Sequence, residues 1–413
     1  MTPSLDDPAQ ARHGGADWLS LALIDARNHT LRWLAAFEAL PAPSALAALQ
    51  QAGLPPPRWL AGHAAWWQEW WIVRNVESAR GEACDIARPR LASIDPGADA
   101  LFDPTRHGVA ARWQLTLPAS EALRQYLAGT LEAALDALSG VADDDAALYF
   151  HRLALWREDR LAERFAEAAQ ALDEPLPGAP RVALPARAAR EPLWWPACRT
   201  LLGAAPGGLV PPGERWAHEV VVPEFEIDAQ AVSWARFVEF AADGGYDDRR
   251  CWTDAGWAWA QAQGRRAPRY VERLLPDVVL QRQGRLQRAP LHQGAVHLTR
   301  HEAEAWCRWA GRRLPTEVEW ELAAARGASR GFVWGDVLEW TAGRARPWPG
   351  CGPAPGMPQD SRPDDAAAPS ATSRGVLRGA AGVGAARQRH TTARRFVALQ
   401  TDLAFCGFRS CAL

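Results

Sequence analysis

The chain has 413 residues, 48% of them hydrophobic, which is enough for two or three well-packed domains. Its formal net charge of -2 gives no reason to expect nucleic acid or an anionic membrane surface as a partner. The seven cysteines are scattered without a C-x-x-C pair, so neither a zinc cluster nor a disulfide framework is expected, and a reduced cytoplasmic setting fits.

No charged segment followed by an apolar run opens the chain, and no apolar run is long enough to span a bilayer, so neither a signal peptide nor a membrane helix is expected. Residues 18–39 carry Leu19, Leu23, Ile24, Leu31, Leu34 and Phe37 at helical spacing. A second helix, 57–79, starts at the proline run 55–57 and carries a Trp-rich face. A third covers 119–138, with Ser120 as N-cap and Gly140 as stop, and a fourth covers 145–172 behind an Asp143–Asp145 cap. Four amphipathic helices over 1–172 predict an up-down four-helix bundle. Residues 173–215 are rich in Pro, Ala and Gly and read as a linker. From Trp216 onward the texture changes. Short alternating pieces at 218–222 and 225–227 predict strands, and helices are expected near 230–242 and 301–311. The segment 351–374 has almost no hydrophobic anchors and is expected to be mobile. The fold class predicted is α+β.

Four blocks in the C-terminal half are informative: GRRLPTEVEWELAAAR (311–326), WGDVLEWT (334–341), VLRG (376–379) and GFRSC (407–411). In this order they resemble the formylglycine-generating-enzyme fold, a C-type-lectin-like domain with little regular structure, assigned here to 216–413. Arg313, Glu317, Glu319, Trp320, Trp340 and Arg409 are of the kind that hold such a scaffold by packing and hydrogen bonds. In the N-terminal half LALIDARNHTLRWLAAFE (21–38), WLAGHAAWWQEWWIVRN (59–75) and RLASIDPGADALFDP (90–104) stand out. Together with the C-terminal blocks they resemble the ergothioneine-type (EgtB) sulfoxide synthases, and within them the selenoneine synthases. That resemblance makes the bundle DinB-like. It implies non-heme iron(II), O2, a hercynine-like small molecule, and a selenosugar or thiol as second substrate, with formation of a C–Se or C–S bond on an imidazole.

In that family three histidines hold the iron. His63 matches the one on the second helix. The other two fall in an H-x-x-x-H-x-E pattern, whose spacing places both imidazoles on one helical face. Glu158, Asp159 and Glu163 set the register, and the two positions are then Arg157 and Leu161. A guanidinium has no lone pair to give a metal, and Leu has no donor atom. His151, six residues earlier, points to another side of the helix. Arg157 has two readings. It pairs with Glu158, Asp159 or Glu163 on a solvated face, or its charge replaces that of the ion and holds an acidic neighbour. The family's tyrosine proton donor has no counterpart, since no tyrosine follows Tyr270. The block lining the family's imidazole site falls on Arg394, Arg395 and Phe396, which are the expected substrate-binding residues. The alternative to an oxygen-dependent synthase is thus an iron-free homologue acting as a binding or regulatory protein.

Overall fold

The computed structural model describes residues 4–40, 43–363 and 374–413. Four long helices open the chain: α1 (Ala16–Glu38), α2 (Pro57–Gln68), α3 (Ser120–Ser139) and α4 (Asp145–Gln170). They pack on one another around Leu19, Leu23, Leu34, Trp59, Leu127, Leu153 and Phe165, all buried. Local chemistry sets the ends. The Asp144 carboxylate caps α4 by accepting from the backbone N–H of Ala146 and Ala147, which satisfies two of the orphan donors of the first turn. Pro57 occupies the first position of α2, where no N–H is required. Ser120 is the first residue of α3 and not its cap; Ala119 stands at the cap without a side-chain bond. The second helix is shorter than its periodicity suggests. It leaves α geometry at Glu69 and passes through one π-helical turn, Glu69–Val73. The Glu69 carboxylate is buried there and accepts from the Tyr126 hydroxyl at 2.7 Å and the Ile94 N–H at 2.6 Å.

The rest of the chain is strands and short helices. A four-stranded sheet joins β1 (Leu193–Trp195), β4 (Phe225–Ile227), β10 (Cys411–Ala412) and β5 (Arg312–Arg313). A ribbon pairs β2 (Cys198–Leu202) with β3 (His218–Val222). The other four-stranded sheet has β6 (Leu338–Arg344) and β7 (Gly375–Arg378) at its centre, flanked by β9 (Cys406–Phe408) and β8 (Arg394–Val397). Thus 173–215, read as linker, holds two strands, because Trp195 packs with Phe225 and Ile227 and β2 pairs along its length with β3. The helices α5 (Trp234–Ala242), α6 (Arg300–Trp309) and α7 (Glu317–Arg326) cover these sheets. The expected scaffold residues hold them. Thr316 and Glu319 form a capping box on α7, and Arg313 donates to the Glu319 carboxylate at 2.8 and 2.7 Å. Arg409 is fully buried; it donates to Glu339 at 2.7 Å and to the Val333 carbonyl at 2.7 Å.

The expectation of mobility over 351–374 is corrected for 351–363. Ala354, Met357 and Ser361 are buried, and the Tyr149 hydroxyl donates to the Pro355 carbonyl at 3.0 Å. The segment lacks apolar runs because it is anchored through its backbone carbonyls. Residues 364–373 lie outside the described residues.

Candidate functional site

A cavity of about 180 Å³ lies where α2 and α4 meet the segment 356–361. Its walls include His63, Trp67, Arg157, Arg160, Leu161 and Asp360. The three positions singled out on α2 and α4, namely His63, Arg157 and Leu161, therefore converge on one space. Helix periodicity explains it: 157 and 161 are one turn apart on α4, and Gly62 lets the Phe102 ring close against α2.

His63 is oriented on both nitrogens. Nδ1 lies 2.9 Å from the Phe102 carbonyl, which can only accept, so Nδ1 carries the proton. Nε2 is then the lone-pair nitrogen, and Arg157 Nη2 donates to it at 3.2 Å. The ring is sandwiched between Trp59, at a centroid distance of 4.9 Å, and Trp66, at 5.7 Å. Burial, and next the Arg157 charge, push its pKa down to about 3, so it is neutral at physiological pH.

Arg157 Nη1 donates to the Gly356 carbonyl at 3.2 Å, and the guanidinium carbon lies 4.8 Å from the Trp67 ring centroid. The same carbonyl accepts from Trp67 Nε1 at 3.2 Å. Gly356 has φ +79°, and an added Cβ would stand 2.8 Å from Trp67 Cζ2, so this close approach requires glycine.

The acidic partners that both sequence readings gave Arg157 are not found, while its place beside His63 Nε2 agrees with the second reading's replacement of the ion's charge. The carboxylates offered as its partners are taken by other arginines. Glu158 accepts from Arg27 at 2.6 and 3.1 Å. Asp159 accepts from Arg387 at 2.7 and 2.8 Å. Glu163 accepts from Arg395 at 2.9 Å. Asp360 is bound by Arg160 and lies 3.8 Å from Arg164. Arg157 is left with two neutral acceptors. Burial lowers its pKa to about 10, which still keeps it protonated at pH 7.

Arg394, Arg395 and Phe396, expected together at a substrate, are separated by strand alternation. Arg394 and Phe396 are buried on one face of β8. Arg394 donates to Glu317 at 2.6 and 2.9 Å and lies 3.6 Å from the Trp348 ring centroid. Phe396 packs with Ala345 and Val376. Arg395 faces the other way, to Glu163 on α4. None of the three lines the cavity. Trp67, Arg160, Arg164 and Asp360 do, and sequence reasoning missed them. The i, i+3, i+7 spacing of Arg157, Arg160 and Arg164 was a readable signal for the arginines. Asp360 had none, because only the tertiary fold brings it to α4.

Iron(II) needs several nitrogen or carboxylate ligands. In this cavity His63 is the one imidazole, its lone pair is held by Arg157, and Arg157 and Leu161 offer no donor. Glu158 and Asp360 are tied to arginines. Among the described residues no three His, Cys, Asp or Glu side chains gather in a way that could hold a metal ion. The residues present do not fit the family's iron centre. No helix among the described residues is long and apolar enough to cross a membrane.

Residues 196–345 match the Sulfatase-modifying factor enzyme 1-like domain family. The chain is 32% identical to the hercynine oxygenase of Mycolicibacterium thermoresistibile over 382 residues, covering 81% of each protein. It is 30% identical to that of Mycobacterium tuberculosis, covering 72% of this chain and 78% of the relative. A formylglycine-generating enzyme of Streptomyces coelicolor is 33% identical over 156 residues, 30% of this chain and 44% of that protein. Likeness that runs through both the helices and the sheets, at this identity, is kinship of whole chains: this protein belongs to the hercynine oxygenase family.

Proposed function

We propose that this chain is an iron-free member of its family that acts by binding a small molecule in the cleft between α2, α4 and residues 356–361. The observation that carries the reading is the bond from Arg157 Nη2 to His63 Nε2 at 3.2 Å. It spends the lone pair a metal would need, and it places a fixed positive charge there instead. Leu161 adds no ligand, and the absence of a tyrosine after Tyr270 removes the family's proton donor. The fold and the cleft persist while the redox donors do not.

The competing reading is oxygen-dependent C–S or C–Se bond formation on hercynine by non-heme iron, with a thiol or selenosugar as second substrate. Kinship with the hercynine oxygenases over most of the chain supports it. The test is direct. Purified protein, loaded anaerobically with iron(II) and given hercynine, O2 and γ-glutamylcysteine, cysteine or a selenosugar, is followed by O2 uptake and mass spectrometry. No product above the enzyme-free control is expected. Catalytic turnover to a sulfur- or selenium-substituted hercynine would overturn the iron-free reading.

A further inference from the structure

Resting on that iron-free reading, we propose that the cavity is a carboxylate-binding site in which Arg157 anchors a small organic monoanion. Charge pairing around the space points to it. Arg27, Arg387 and Arg395 each hold one carboxylate of α4, and Arg160 holds Asp360. Arg164 bonds Glu167 at 3.1 Å. Of these arginines, Arg157 alone has no carboxylate within salt-bridge distance among the described residues. The groups it donates to, His63 Nε2 and the Gly356 carbonyl, are neutral. A guanidinium carries five N–H donors, and two are used. Arg157 is half-buried, and the carboxylate that acts on it, Asp360, is bound directly by Arg160, so an anion entering the space would give Arg157 a direct counter-charge.

The lining also selects the body of the ligand. Leu60, Ala64, Trp67, Ala154, Leu161 and Pro358 make an apolar wall around the charged end. A volume near 180 Å³ is below the roughly 300–1,000 Å³ of pockets for drug-sized ligands, so the occupant is small. Arginine binds carboxylates through paired N–H groups, a geometry that an amide of the same shape cannot match in charge. A carboxylate on a flat or apolar body therefore meets both requirements: its charge reaches Arg157 and its body lies against Trp67 and Leu161.

The experiment is isothermal titration of the full chain with benzoate and with imidazole-4-acetate, each against its own amide. The acids are expected to bind at least about tenfold more tightly than the amides. Arg157→Gln should abolish that preference, and Arg157→Lys should keep part of it. Leu161→Phe, which fills the space and leaves the charge in place, should weaken both acids. The comparison of acid with amide on the unaltered protein stands even if a variant fails to fold. Equal binding of acids and amides, no binding of either, or a preference that survives Arg157→Gln would overturn the proposal. Iron content of the same preparation separates the two readings. Stoichiometric histidine-bound iron would remove the iron-free reading and this one with it. Iron-free protein without acid preference would remove this one alone.

Discussion

The pair His63–Arg157 is where this chain departs in chemistry from what its kinship implies. A backbone carbonyl fixes the His63 tautomer, which is how metal-binding imidazoles are commonly braced, yet the other nitrogen faces a donor. Two substitutions should reverse this. Arg157→His with Leu161→His would place two imidazoles one turn apart on α4, beside Nε2 of His63. A residue that only braces a ligand is worth about 10–100-fold in metal affinity, so two added ligands should raise iron(II) affinity by more than that. Titration of iron(II) against a competing chelator measures it. An unchanged affinity would mean that 157 and 161 are not the positions that matter. Gly356 sets the other half of the pair. Gly356→Ala forces a Cβ against Trp67 at positive φ, and should cost about 1–3 kcal/mol in urea unfolding, with a change in Trp fluorescence. An unaltered midpoint and spectrum would show that the carbonyl of residue 356 does not hold this wall.

At the scale of elements, α4 carries the site. Three of its buried carboxylates meet a partner from elsewhere: Glu158 from α1, Asp159 and Glu163 from the region 387–395. His151 on the same helix is almost fully buried, and burial pushes its pKa down to about 4. The unfolded chain takes up that proton near pH 6.5, while the native state does so only near 4. Between those values the unfolded state binds more protons, so the stabilising contribution is complete above pH 6.5 and is lost as pH falls toward 4. At 1.36 kcal/mol per pH unit, the window is worth roughly 3 kcal/mol. His151→Gln should flatten the stability–pH slope by about that amount in denaturant titrations at pH 4.5 and 7; an identical slope would contradict the burial argument. Much of this level was legible in sequence. The long helices, β3 and β4 follow from periodicity and alternation, and the Asp144 cap from its residue type. The π turn after Gln68 was not, since it depends on Glu69 meeting Tyr126 and Ile94 from distant segments. The anchoring of 353–361 was equally hidden, because it runs through carbonyl oxygens that every residue possesses.

Across the whole molecule, one apolar core runs from the helical bundle to Phe408, and two further clusters, around Trp320 and around Phe396, lie in the sheets. Charged contacts sit on top of it. Arg387 reaches Asp159 and Asp25, Arg395 reaches Glu163, and Arg12 reaches Glu214. Arg395, expected at the substrate, is used by Glu163, and Asp159, offered as a partner of Arg157, is used by Arg387. The scaffold motifs of the C-terminal half were readable as scaffold because capping boxes and buried Arg–Glu pairs follow from residue type and spacing. The fate of Arg394–Phe396 was not, because alternation on β8 sends neighbours to opposite faces. At the centre of the cleft a guanidinium occupies the coordination direction of His63. Anaerobic loading with excess iron(II), desalting and metal analysis tests it most directly. Iron far below one atom per chain is expected; one tightly held iron per chain with a nitrogen-rich coordination spectrum would show that His63 is free to bind metal.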